Sequence, residues 1–236
     1  MQKEERVLNF YVLCNSLKDL IRKGWEDWNI DVKRKESVAD HIYGAQMLAI
    51  SMQSEYNYDI DLYKVVFMLA IHELEEVFIT DITPFDMSKE EKKKLGEQAV
   101  EKILECLTDK EEIHEIINEW EENKTPEAKF SHMCDKLECD LQSKIYEEKG
   151  AIHYKKDGTL CTRHTKDNYS STTSKVQELL KKYHYWSTMW MKFWQSTGIY
   201  DENFTAVSNY AIDHKITKVQ DEITKFREKI KEKKMK

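Results

Sequence analysis

The stretch AIHELEEVFITDITP, residues 70–84, sets His72, Glu73, Glu75 and Glu76 into an otherwise apolar run. On a helix, His72 and Glu76 lie four apart and Glu73 and Glu76 three apart, so these three can surround one point. An imidazole beside carboxylates is a mixed nitrogen and oxygen donor set for a divalent transition metal. A carboxylate left uncoordinated can take a proton from a water that the metal has acidified. Glu75 points further round and fits a solvent-facing side chain. Taken alone, the stretch fits the exposed face of a charged helix equally well.

Two other stretches add to it. ESVADHIYGAQMLAI puts His41 in the first turn of an apolar helical segment. HMCDKLECDL puts Asp135 among Met133, Leu137 and Leu141, positions that a helix would bury. A buried aspartate is costly unless it is paired or ligating. Each residue has a structural explanation by itself. Together they supply histidine, a histidine–acid pair and aspartate, in that order, from three apolar helices.

The elements that must carry these groups are helical. Two prolines and six glycines in 236 residues leave few breaks, which favours an all-α fold. Spacing predicts helices over residues 5–22, 37–56 and 62–78. Pro84 ends the third of these. Capping-box patterns at Ser88/Glu91 and Thr108/Glu111, and Thr125 followed by Pro126, predict three further starts. From Gly150 to about Thr173 the chain is polar and aperiodic. An aromatic helix over residues 183–194 follows. The last helix carries Ile216, Val219, Ile223, Phe226 and Ile230, a heptad-like seam suited to a coiled coil or to packing on the domain. The expected division is a catalytic domain over 1–149 and an extension over 150–236. That extension is a polar loop and two helices, packed on the domain or in a dimer interface.

Composition narrows the function classes. The net charge of -7 argues against a stable nucleic-acid complex. No apolar run reaches membrane-spanning length, and the charged start MQKEERVLNF is unlike a secretory signal. Five cysteines without a CxxC pair fit reduced thiols in a cytoplasm.

The chain resembles the HD-domain phosphohydrolases, within them the 5'-deoxynucleotidase-like group. The resemblance rests on GW at 24–25, ESVADH at 36–41, HELEE at 72–76, DITP at 81–84, SKEEK at 88–92 and PEAKF-x(4)-D-x-L-E at 126–138. It covers roughly residues 5–148. It implies an all-α helical bundle with one divalent metal, such as Mn²⁺, Co²⁺ or Zn²⁺, held by His41, His72, Glu73 and Asp135. It implies Glu76 as the residue that activates water, with Trp25 near the substrate sugar and Asp81 in the substrate pocket. The activity implied is removal of phosphate from nucleoside 5'-monophosphates or similar small phosphate esters, by a homodimer. Four positions depart from the family pattern. Glu73 replaces an aspartate, Gly24 an arginine, Thr80 a glycine and His132 a lysine. Arg22, Lys23, Lys33 or Arg34 can substitute for the missing arginine at the phosphate. The longer Glu73 and the unmatched extension also fit a catalytically silent HD-fold protein that binds a partner.

Three weaker signals have structural explanations. His132, Cys134, Asp135 and Cys139 do not match zinc-finger spacing and read as core cysteines beside a ligand. His153, Asp157, Cys161 and His164 read as a polar surface loop before a metal loop. The aromatic helix reads as core or interface before a base-stacking platform.

Overall fold

A computed structural model describes residues 1–83, 86–161, 170–194 and 198–234. These residues are helical and contain only two isolated β-bridges, as the all-α reading expects. They form two compact units, divided within one long helix after Glu138.

The first unit opens with α1 (Lys3–Asn15), followed by a single 3₁₀ turn at Ser16–Lys18. The helix therefore ends well before residue 22. Of the apolar residues that give 5–22 its spacing, Val7, Leu8 and Tyr11 are exposed and Leu17 is buried, while Phe10 and Cys14 pack against the core. A loop then holds the short α2 (Lys23–Asp27) and is closed at its base by an antiparallel bridge between Ile21 and Ser37. Trp25, Trp28 and Ile30 are buried beneath it.

The helix α3 (Val38–Tyr56) starts at a capping box in which Ser37 accepts from the Asp40 N–H and Asp40 accepts from the Ser37 N–H. It buries Val38, His41, Ala45, Ala49 and Met52 and packs along α4 (Leu62–Ile71). The expected helix over 62–78 is interrupted. Residues 72–75 form turns before α5 (Glu76–Ile79), with Leu74, Glu76, Val77 and Phe78 each donating its N–H to the carbonyl three residues back. This tighter 3₁₀-type bonding stacks side chains three apart, so Glu73 and Glu76 come to one side.

The helix α6 (Lys89–Leu104) has the expected Ser88/Glu91 capping box. The expected Thr108 cap is not used, because α7 (Glu111–Glu122) starts from Lys110 without a side-chain cap. Thr125 does cap α8 (Pro126–Glu148), accepting from the Ala128 N–H at 3.2 Å. Met68, Ile71, Ile116 and Ala128 form one core between α4, α7 and α8. Leu74, Val100, Ile103 and Leu104 form a second, against α6.

The second unit contains the rest of α8, a tight turn over 153–161, α9 (Ser170–Tyr183), α10 (Trp186–Met189), a π-helical turn (Trp190–Trp194), α11 (Glu202–Asp213) and α12 (Val219–Lys234). The aromatic stretch is not one helix. His184 adopts φ +64° and breaks it, and Trp186 and Trp190 are buried as core. Glu147 and Tyr154 hydrogen-bond to each other and accept the Ser187 and Trp186 N–H groups, both at 2.7 Å, which caps α10. In the turn, Asp157 accepts from the Thr159 N–H and hydroxyl. His153, Asp157 and Cys161 do not meet as a ligand group among the described residues, and His164 lies outside them. Pro84 lies outside them too.

Thr80 follows α5 with φ +64° and ψ 175°, a conformation found almost only in glycine. This is the position where the family pattern has glycine. The strain costs about 1–3 kcal/mol, and the extra unfolded-state freedom of glycine takes back about 0.5–1 kcal/mol. Thr80→Gly should therefore raise the thermal midpoint by a few degrees, roughly 2–4 °C per kcal/mol for a chain of this size. Thr80→Ala retains the Cβ and should show no such rise in the same calorimetric scan.

Candidate metal centre and active site

His41, from the first turn of α3, is fully buried. Its Nε2 lies 3.0 Å from Asp135 Oδ1 and 3.9 Å from Glu73 Oε1. His72 caps the end of α4, and its Nδ1–H donates to the Leu69 carbonyl at 2.8 Å. That bond fixes the ring and leaves Nε2 buried and without a hydrogen-bond partner. His72 Nε2 lies 3.7 Å from Glu73 Oε1 and 4.0 Å from Asp135 Oδ1. One donor atom from each of the four residues lies within 4.8 Å of all the others.

Those separations suit a single cation. Two donors about 2.1 Å from an ion stand about 3.0 Å apart at a right angle and about 3.4 Å apart at a tetrahedral angle. Protonation states suit one as well. Burial pushes the His41 pKa down to about 4, and the Arg22 charge pushes in the same direction, so the ring is neutral at pH 7. Burial raises Glu73, but His72 and Arg22 outweigh it and hold the carboxyl near 2. Asp135 is likewise raised by burial, yet Lys136, His41 and His72 keep it well below its ordinary value. A divalent ion binds deprotonated donors, which His41, Glu73 and Asp135 offer at pH 7.

A second layer supports the donors. His41 Nδ1 is 2.6 Å from Glu138 Oε2, one helical turn beyond Asp135 on α8. Burial, and then Glu36 beside it, push Glu138 well above the ordinary carboxylate range. Glu36 in turn accepts the Trp25 indole N–H at 2.6 Å. Carboxylates that orient a ligating histidine set both its tautomer and its basicity. Gly44 makes room for this contact: a Cβ there would stand 2.6 Å from Glu138 Oε1.

Glu76 is buried beside the cluster, with Oε2 lacking a hydrogen-bond partner. Burial, Glu73 and Asp81 raise its pKa well above the ordinary value, while Arg22 and Lys92 pull it down. Lys92 Nζ lies 3.6 Å from Glu76 Oε1 and Lys136 Nζ 2.9 Å from Asp135 Oδ2. Arg22 donates to Glu73 at 3.0 Å. Asp81 accepts the Lys23 N–H at 2.6 Å and so fastens the Arg22 segment in place. Beside the cluster opens a cleft of about 660 Å³, lined by His72, Glu73, Lys92, Trp120, His132 and Asp135 among others. Trp120 stacks on His132 at 3.7 Å, and the His132 ring bonds the Trp120 carbonyl at 3.0 Å.

The HD-domain family pattern matches residues 14–177. The chain belongs to the HD-domain family. This HD-domain protein is 34% identical over 149 residues to the 5'-deoxynucleotidase HDDC2 of Dictyostelium discoideum, covering 60% of this chain and 77% of that one. It is 34% identical over 146 residues to human 5'-deoxynucleotidase HDDC2, covering 60% and 69%. The crystal structure of the PH0347 protein from Pyrococcus horikoshii OT3 superposes with a TM-score of 0.57 at 22% identity. It covers 87% of this chain and 98% of that one, a likeness of fold alone.

All eight residues singled out from the sequence of this HD-domain protein lie in the first unit. His41, His72, Glu73 and Asp135 come together, with Glu76, Arg22 and Asp81 beside them. Trp25 is buried, with its indole N–H turned to Glu36. Sequence reasoning missed Glu138, Glu36, Lys92 and Lys136. Glu138 had a signal, since two acids three apart among buried positions of α8 need a common reason. The lysines had none, because exposed helices carry many.

Two outcomes follow. Gly44→Ala should displace Glu138 and weaken Mn²⁺ binding about 10–100-fold by calorimetric titration; unchanged affinity would remove Glu138 from the support of His41. The second concerns Glu75, which burial and then Glu73 push up to about 7 from an ordinary 4.5. The folded state thus binds this proton more tightly than the unfolded state. Its contribution is fully present below pH 4.5 and is lost as pH rises through 7. In chelator-treated protein, Glu75→Gln should therefore raise the midpoint at pH 8 and not at pH 4. Equal shifts at both would refute this.

Proposed function

We propose that this HD-domain protein is a metal-dependent phosphohydrolase that removes phosphate from nucleoside 5'-monophosphates. The observation that carries this reading is the convergence of two imidazoles and two carboxylates beside the buried Glu76, whose Oε2 has no hydrogen-bond partner. The names of its 5'-deoxynucleotidase relatives support the substrate class.

His41, His72, Glu73 and Asp135 would hold the ion. A divalent cation in that position supplies a Lewis acid that polarises the phosphoryl oxygen and lowers the pKa of water. Glu76 accepts the proton as water attacks phosphorus. Its elevated pKa makes it a stronger base once ionised, and Arg22 and Lys92 favour the ionised form. Arg22 and Lys92 also face the space where phosphate oxygens would sit, replacing the arginine that the family pattern has at Gly24. Asp81 and the Trp25–Glu36 bond keep the Arg22 loop from drifting. The cleft beside Trp120 and His132 has room for the nucleoside.

Purified protein assayed with deoxyribo- and ribonucleoside 5'-monophosphates and Mn²⁺, Co²⁺ or Zn²⁺ should release inorganic phosphate. Glu76→Gln should retain the metal and lose about 10²–10⁴-fold in kcat. Metal binding without release from any substrate would favour the silent, partner-binding protein.

A further inference from the structure

Where the family pattern has lysine, this chain has His132. One helical turn on, on the same face of α8, stands Lys136. Both side chains line the cleft beside the donor cluster. Lys136 Nζ is 2.9 Å from Asp135 Oδ2, so an ammonium group still attends that carboxylate. Burial holds His132 below its ordinary pKa, and the ring is neutral at pH 7. The cation of the family pattern is therefore kept but moved by one turn, and position 132 carries a flat ring instead.

That ring is firmly held. His132 Nε2–H donates to the Trp120 carbonyl at 3.0 Å. The two rings stack with centroids 3.7 Å apart and planes 21° from parallel. Trp120 packs on the core of Met68, Ile71, Ile116 and Ala128, and its ring centroid lies 4.8 Å from that of His72. The aromatic pair thus reaches from a candidate metal donor into the cleft on rigid support. A ring fixed in advance spares a ligand the ordering entropy that a lysine stem would demand. Lysines and glutamates both line the rest of the cleft, with Lys93 3.5 Å from Glu121. That mixture suits an uncharged group better than a second phosphate. The cleft volume of about 660 Å³ is within the range of about 300–1,000 Å³ found for small-molecule sites.

We propose that Trp120 and His132 form the specificity platform of this site: the base of a nucleoside 5'-monophosphate stacks on the pair while its phosphate lies at the donor cluster, with Lys136 as a cation at the phosphate end. The inference rests on the nucleotide reading given above. Every base has a π-face, so the platform demands a base without choosing among bases, and a base-free sugar phosphate gains nothing from it.

The test is calorimetric titration of the Glu76→Gln protein at saturating Mn²⁺, with dAMP and with 2-deoxyribose 5-phosphate. The nucleotide should bind about 5–150-fold more tightly. His132→Lys, added to that protein, should reduce the ratio below about threefold. It should leave sugar phosphate binding no weaker, which shows the fold and the phosphate end intact. His132→Phe keeps a ring and should keep the ratio. Lys136→Gln should weaken both ligands alike, about 3–30-fold, and adding His132→Lys should restore the sugar phosphate without restoring the preference for a base. Equal affinity for the two ligands, or a preference that His132→Lys leaves intact, would overturn the proposal. A loss confined to dAMP in Lys136→Gln would overturn the role of Lys136. A base preference in a protein whose unmutated form releases phosphate from no nucleotide would uphold the platform and overturn the hydrolase reading instead.

Discussion

Glu73 and Asp135 hold ionised carboxylate oxygens within 4.8 Å of each other, in a region that excludes most water. At an effective dielectric of 20 such a pair repels by roughly 3–4 kcal/mol, a penalty that only positive charge can offset. Arg22 meets Glu73, and Lys136 meets Asp135. A divalent cation between the donors would offset the repulsion more directly. The rest of the first unit is arranged around holding these like charges together.

That arrangement explains local features that would otherwise be costs. The break after Ile71 gives up regular helical bonding, and in return brings Glu73 and Glu76 to one side of the turn, with His72 Nε2 3.7 Å from Glu73 Oε1. The strained Thr80 ends α5 abruptly and leads the chain to Asp81, whose carboxylate fastens the Arg22 loop. Gly44 leaves α3 without a side chain opposite α8, and Glu138 enters that space to reach His41. Trp25 serves the same end from the far side of the layer, through Glu36.

The second unit is built on different terms. Its core is aromatic, with Trp186 and Trp190 buried and Glu147 and Tyr154 capping α10. Glu148 accepts the Ile216 and Thr217 N–H groups at 3.0 and 2.8 Å and so fixes the chain just before α12. The last helix therefore leaves from a rigid origin with its apolar seam uncovered.

The sequence by itself brought out His41, His72, Glu73 and Asp135 as a candidate donor set. Histidines and acids at helical spacing among apolar residues are visible in one dimension, because burial of such groups needs a chemical reason wherever they stand. It determined the all-α class and the capped starts of α6 and α8 for the same local reason, since a cap and its helix lie within four residues. Contacts between residues far apart in the chain were decided only by tertiary structure. Arg22 reaches Glu73, Lys92 reaches Glu76 and Glu138 reaches His41, and no periodicity links any of these pairs. The turn at 72–75 belongs with them. Its residues read as regular helix, and tertiary packing overrode that preference. The exposure of the α12 seam belongs with them too, since the same pattern fits packing on its own unit or elsewhere and only tertiary contacts set which residues are covered.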